Sequence, residues 1–371
     1  MTAAGSYAGA PLEFVDWRVA QVVGELVAGT PAFGAISSAR VEPMAHDFAV
    51  RVAAYSGLRP PAELPRLELV DRSAWISANL RTMRPLLGRL SESAGVQPPG
   101  GLFGSPLRSA TGLLMGVQVG ALTGMLSQRV LGQYDLALLD STVPPRLLLL
   151  APNLAQAANT LQLDRDELVL WVTIHEITHA VQFSGAPWLR EHLAGMITEL
   201  IDGLQVTASS SGNGWIPKLP ATGDLRELVE RARRGELLRV TLGEDRWLLV
   251  ERIQATMSLV EGHAEHTMDV IGAQLLPSLD RLRAAMNSRR ENRGLPWRVL
   301  ERLLGLELKF RQYQTGRRFC DAIVDAGGPT ALARAWESPA TLPRPDELEH
   351  PERWLERVSK PTPALPAHSG A

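Results

Sequence analysis

Apolar residues recur at three- and four-residue spacing through most of this chain and strict alternation is rare, a pattern that predicts a long succession of helices. Helices are expected over residues 12–27, 43–55, 71–93, 107–131, 165–184, 188–206, 225–234, 251–275, 279–290, 297–316 and 319–325. Short β-prone runs give strand candidates at 136–139, 146–151 and 237–242. The expected fold class is therefore mainly α with a small β element. Gly- and Pro-rich stretches at 94–106 and 208–223 read as loops, and the second could cover a cleft between the helices on either side of it. Residues 1–140 read as an N-terminal helical region, 141–358 as the region carrying the chemistry, the two packed as one unit, and 359–371 as a disordered tail. No internal repeat and no phosphate-binding glycine loop is found.

One helix departs from the amphipathic rule. Residues 110–128 carry no charge and space Gly112, Gly116, Gly120 and Gly124 four apart, the small-residue stripe by which helices approach closely in membranes. The stretch is barely the length of about 20 residues that a bilayer demands, and Thr111, Gln118, Thr123 and Ser127 interrupt it. A buried helix that admits a neighbour along its glycines is the expected outcome.

Composition narrows the partners. A chain of 371 residues with 45% hydrophobic content can build a large core. The formal charge of −2 supplies no field to draw in nucleic acid or an anionic membrane, so neither is expected as a partner. All but three basic residues are Arg, the exceptions being Lys218, Lys309 and Lys360. The single cysteine, Cys320, forbids an intramolecular disulfide and suits a reducing compartment. No basic segment followed by an apolar core opens the chain, and a cytoplasmic location is expected.

The chemistry concentrates at His175-Glu176-Ile177-Thr178-His179. On a helix, positions i and i+4 share a face about 5–6 Å apart, so both imidazoles can reach one ion while Glu176, just off that face, can hold a water. Asp164 with Glu167 resembles a capping box at the helix start, and Gly185 followed by Pro187 marks its end. Val172, Thr173, Ile177, Ala180 and Val181 are uncharged, as a metal helix inside a core requires.

A catalytic zinc site usually adds a third protein ligand and leaves one position for water. Position 185 is Gly, which removes the pattern in which a third His follows closely. The densest later supply of ligand-type residues is the helical stretch 254–269, with Glu261, His263, Glu265, His266 and Asp269.

Glu261-Gly262-His263-Ala264 resembles the Glu-Gly-x-Ala element of gluzincin aminopeptidases, which implies Glu261 as third zinc ligand beside His175 and His179, with small residues letting two helices approach. Glu265 and Asp269 could then accept the second N–H of a metal histidine. Over most of its length the chain resembles a zincin-like hydrolase family associated by name with biosynthesis of a deazaflavin coenzyme. The resemblance rests on Val130-Leu-Gly-Gln-Tyr-Asp135, Leu149-Leu-Ala-Pro-Asn153, the histidine motif, Met257-Ser-Leu-Val-Glu-Gly-His263 and Leu308-Lys-Phe-Arg-Gln-Tyr313-Gln-Thr-Gly316. It implies a zinc hydrolase fold, and the residues themselves suggest metal-assisted hydrolysis of a peptide or small amide, with Zn2+ as cofactor, Glu176 as general base, and Tyr313 or His263 as donor to the developing oxyanion. The second reading is a zinc-binding regulatory protein on the same scaffold with catalysis lost. The intact Glu176 weighs against it, since a structural zinc closes its fourth position and needs no base.

Overall fold

The computed structural model describes residues 15–30, 41–60, 63–93, 104–210, 243–291 and 306–359, with the side chains of 90–93, 104–109, 203–210, 290–291 and 306–314 outside that set. It is mainly α with one small sheet. Helices run α1 Trp17–Ala28, α2 Val41–Ser56, α3 Arg72–Ser93, α4 Gly104–Ser127, α5 Ala151–Leu161, α6 Arg165–Gly185 and α7 Trp188–Ser210. They continue as α8 Glu244–Leu275, α9 Leu279–Glu291, α10 Leu306–Ala333 and α11 Pro351–Ser359. The strands are β1 Leu67–Val70, β2 Gly132–Asp135 and β3 Arg146–Leu150.

Two differences from the sequence expectation have local causes. The strand expected at 136–139 is β2, four residues earlier, because Gly132 and Gln133 pair with Leu149 and Leu148 whatever their own propensity. The described part of the helices expected at 297–316 and 319–325 is one element, α10, broken only at Gly328, where φ is 74°. Helices α5 and α11 and strand β1 add to the expected elements. The expected helix at 225–234, the strand at 237–242, most of the loops at 94–106 and 208–223 and the tail from 360 lie outside the described residues.

The sheet has the order β1-β3-β2, with β1 parallel and β2 antiparallel to β3. The boundary expected at 140 runs through this sheet, since β1 and β2 precede it and β3 follows. Alternation along β3 sorts its leucines into two cores. Leu147 and Leu149 enter the larger one with Leu154, Ile174, Ile177 and Leu259, whereas Leu148 and Leu150 enter a smaller one with Ala20, Trp75, Ile76 and Val119.

Helix α4 packs on α1 along its glycines. A Cβ added at Gly116, Gly120 or Gly124 would meet the backbone of Asp16, Ala20 or Gly24. The stripe therefore serves helix-to-helix contact within the chain.

Helix α6 begins as expected at Asp164, whose carboxylate accepts the Glu167 N–H at 2.9 Å. The Glu167 side chain does not reach back to complete the box. It accepts instead from the Ser278 N–H (3.0 Å) and hydroxyl (3.2 Å), placing its charge at the start of α9, where the helix dipole favours an anion.

Candidate metal centre

His175 and His179 project from the middle of α6, and Glu261 meets them from α8. The two Nε2 atoms lie 3.2 Å apart, and Glu261 Oε2 lies 3.7 Å from His175 Nε2 and 3.6 Å from His179 Nε2. A tetrahedral ion with bonds of about 2.0–2.1 Å separates its ligand atoms by roughly 3.3 Å. The observed triangle fits one face of such a tetrahedron. These three residues form a group able to hold a metal ion.

Helix α8 is packed closely by α10 at this level. A Cβ on Gly262 would overlap the backbone of Gly316 and Arg317, and one on Gly316 would overlap Ser258. The helix that Gly262 admits is thus α10, not the metal helix.

Glu176 is 6% exposed and sits under the edge of the sheet. Its Oε2 accepts the Tyr134 N–H at 2.8 Å. The approach depends on Gly132, because a Cβ there would stand 2.7 Å from Glu176 Oε1 and 2.9 Å from Val172 Cγ1. Burial pushes the Glu176 carboxyl up to about 7; charged His179 and the Tyr134 amide oppose the rise and Glu261 adds to it. Burial opposes protonation of His179, but the Glu261 carboxylate overrides it and carries that imidazole up to about 9. Metal uptake at His179 therefore competes with a proton.

Behind His179 stands Gln182, which no sequence pattern singles out. Its Nε2 donates to the Val260 carbonyl at 2.9 Å, which only the amide nitrogen can do. Its Oε1 must then face His179 Nδ1, 2.9 Å away, so Nδ1 supplies the hydrogen. That leaves the Nε2 lone pair of neutral His179 for a metal. The remaining Gln182 N–H points to His263 Nδ1 at 2.8 Å. One amide thus fixes the tautomer of one ligand and ties α6 to the residue preceding Glu261. The signal available in sequence is its position, three residues after His179 on the same helix.

The other expected residues fall elsewhere. His263 is 1% exposed, bonded to Gln182 and packed on Trp336 with ring centroids 5.0 Å apart. Burial, aided by the His266 and His179 charges, pushes it down to about 3, so it is neutral. Asp269 pairs with Arg283 Nε and Arg317 Nη2, both at 2.6 Å, and the outer partner of His179 is Gln182 instead. Tyr313 lies in α10, with its side chain outside the described set.

A cavity of about 1240 Å3 is walled by Tyr134, Leu136, Leu138, Phe183 and the face of α7 from Arg190 to Asp202, and the metal-site residues are not among its lining. Tyr134 links the two, holding Glu176 through its amide and stacking its ring on Phe183 at 5.9 Å.

A sequence profile described as "Zincin-like metallopeptidase" matches residues 15–355. Among solved structures, the chain is similar to the crystal structure of "a putative hydrolase with a novel fold" from Chloroflexus aurantiacus, with 27% identity and a TM-score of 0.67. The similarity covers 94% of this chain and 100% of that one. No curated protein matches.

Proposed function

The chain belongs to the zincin-like metallopeptidase family, and from that premise we propose that it is a zinc-dependent hydrolase of gluzincin type acting on a peptide or small amide. The observation that carries this reading is the His175, His179, Glu261 triangle with a buried carboxylate, Glu176, beside it. His175, His179 and Glu261 would hold the ion. Bound zinc supplies Lewis acidity toward a carbonyl and makes water acidic near neutral pH. Glu176 accepts the proton of the attacking water and returns it to the leaving nitrogen. The Tyr134 amide orients one oxygen of that carboxylate and leaves the other for the proton. Tyr313 is retained as the candidate donor to the oxyanion. His263, engaged with Gln182 and Trp336, supports the ligand helix in this reading and gives up the donor role.

Metal analysis and turnover test the proposal together. About one zinc per chain is expected, lost in His175→Ala and His179→Ala and weakened in Glu261→Ala. Glu176→Gln should retain zinc and fold but lose hydrolysis, since an amide of nearly equal size cannot take the proton. Unchanged zinc in both histidine variants would place the metal elsewhere. Turnover surviving Glu176→Gln would end this mechanism.

A further inference from the structure

The cavity lined by Tyr134, the residue whose amide holds Glu176, has a composition that selects among substrates. Its wall toward the sheet is Tyr134, Leu136, Leu138 and Leu139, and Phe183 and Pro187 continue the apolar surface from the end of α6. Phe183 follows His179 by about one helical turn, so the apolar wall begins one turn from a metal ligand. The charged groups are committed or exposed. Arg190 donates to the carbonyls of Ala137 and Asp140, which fixes the segment after β2. Arg89 reaches Thr198 at 3.2 Å. Glu191, Glu199 and Asp202 are exposed along α7, three carboxylates against two guanidiniums. An acidic side chain entering here would leave water for an apolar wall and meet like charge at the rim.

We propose that this cavity is the specificity pocket of the same site, taking a large apolar side chain, aromatic or branched aliphatic, of a peptide whose scissile amide lies over His175, His179 and Glu261. The inference rests on the hydrolase reading for the location of the amide, and on the cavity alone for the side chain. At about 1240 Å3 the space exceeds the roughly 300–1,000 Å3 of ordinary ligand pockets, so it accommodates an aromatic ring together with part of the adjoining backbone.

Hydroxamates of glycine, phenylalanine and aspartic acid, titrated calorimetrically into the zinc-loaded protein, separate the two parts. The chelating group is constant and the side chain varies. Burial of a phenyl ring should tighten binding about 10- to 100-fold over the glycine compound, and the aspartate compound should bind no tighter than glycine's. Gly195 lines the cavity, and a Cβ on it would meet nothing within 4 Å. Gly195→Trp should therefore fill the space with the fold intact, abolishing the preference for phenylalanine while leaving glycine hydroxamate binding unchanged. Ala194→Trp, from the neighbouring wall position, guards against an indole that swings into solvent. Equal affinity for the glycine and phenylalanine compounds, or a preference that survives both variants, overturns the proposal. If the protein takes up no zinc, the hydrolase reading fails by itself. The pocket is then judged on metal-free protein by saturation-transfer NMR with N-acetylphenylalaninamide against N-acetylglycinamide. Transfer to the first that disappears in Gly195→Trp sustains an apolar pocket, and absence of transfer rejects it.

Discussion

At position 182 the orientation of one amide decides what a histidine can donate to a metal. Because Gln182 Nε2 is committed to the Val260 carbonyl, Oε1 is committed to the His179 Nδ1–H. Such outer partners typically contribute about 10- to 100-fold in metal affinity. Gln182→Leu is expected to weaken zinc binding by that factor in a chelator competition, with a smaller loss in Gln182→Glu, which keeps an acceptor for Nδ1. Equal affinity in all three proteins would reduce Gln182 to packing. Far from the metal, Glu347 offers a test in pH. Its carboxylate is buried, accepts Arg357 Nε at 2.6 Å and Nη2 at 2.8 Å, and takes the Arg344 N–H at 2.8 Å. Burial alone would raise this carboxyl, but the guanidinium and the amide outweigh it and hold it below its ordinary value of 4.5. The unfolded chain therefore binds the extra proton in acid, so the stability that Glu347 contributes is present above pH 4.5 and is lost as pH falls below it. Glu347→Gln should cost about 1–3 kcal/mol at pH 7 and flatten the acid limb of stability measured by urea unfolding. Curves for parent and variant that stay parallel below pH 5 or so would remove Glu347 from the acid response.

Several elements are positioned by glycines that cannot carry a side chain. Gly316→Ala would drive a Cβ into the Ser258 backbone, and Gly132→Ala would drive one into Glu176 and Val172. Backbone cannot yield as a side-chain tip does, so Gly316→Ala should cost at least the 1–3 kcal/mol or so usual for overpacking. Gly195→Ala should instead add about 0.5–1 kcal/mol, since it sits inside a helix with open space around it. Denaturant midpoints decide both, and a neutral Gly316→Ala would disprove the close crossing of α8 and α10. Contacts of this kind mark the limit of what the sequence discloses. His175, Glu176 and His179 are legible because one helical turn fixes their relations, and α6 is legible through Asp164 and Gly185. Glu261 needs a resemblance, because its meeting with the histidines is tertiary. Gln182 and Tyr134 are hidden for the same reason. An uncharged amide has no spacing rule, and Tyr134 acts through a backbone N–H that every residue but proline possesses. Strand β2 falls outside its expected place because pairing with β3, rather than its own residues, sets its position.

Across the whole molecule, the sheet carries one core on each face, so helices α1, α3 and α4 on one side and the metal-bearing helices on the other share the leucines of β3. That arrangement bears on whether α4 belongs to the protein interior or to a bilayer. Its window Ala110–Ser127 is long and apolar enough to cross a membrane, and 39% of that window is buried within the chain. The glycine face is spent on α1, where a Cβ at Gly120 would stand 2.9 Å from Ala20 Cα. Leu113, Leu114 and Val117 are exposed elsewhere on α4, as are Val22 and Leu26 of α1. A spanning α4 would draw α1 into hydrocarbon with it, and α1 carries Arg18, Gln21 and Glu25, whose charges and amide are costly there. The expectation is therefore a protein recovered in the soluble fraction of lysed cells, in which Gly120→Leu lowers the denaturation midpoint by forcing α1 and α4 apart. Recovery only with detergent would overturn the first half. A Gly120→Leu variant as stable as the parent, judged by urea unfolding, would show that the helices do not meet along the stripe.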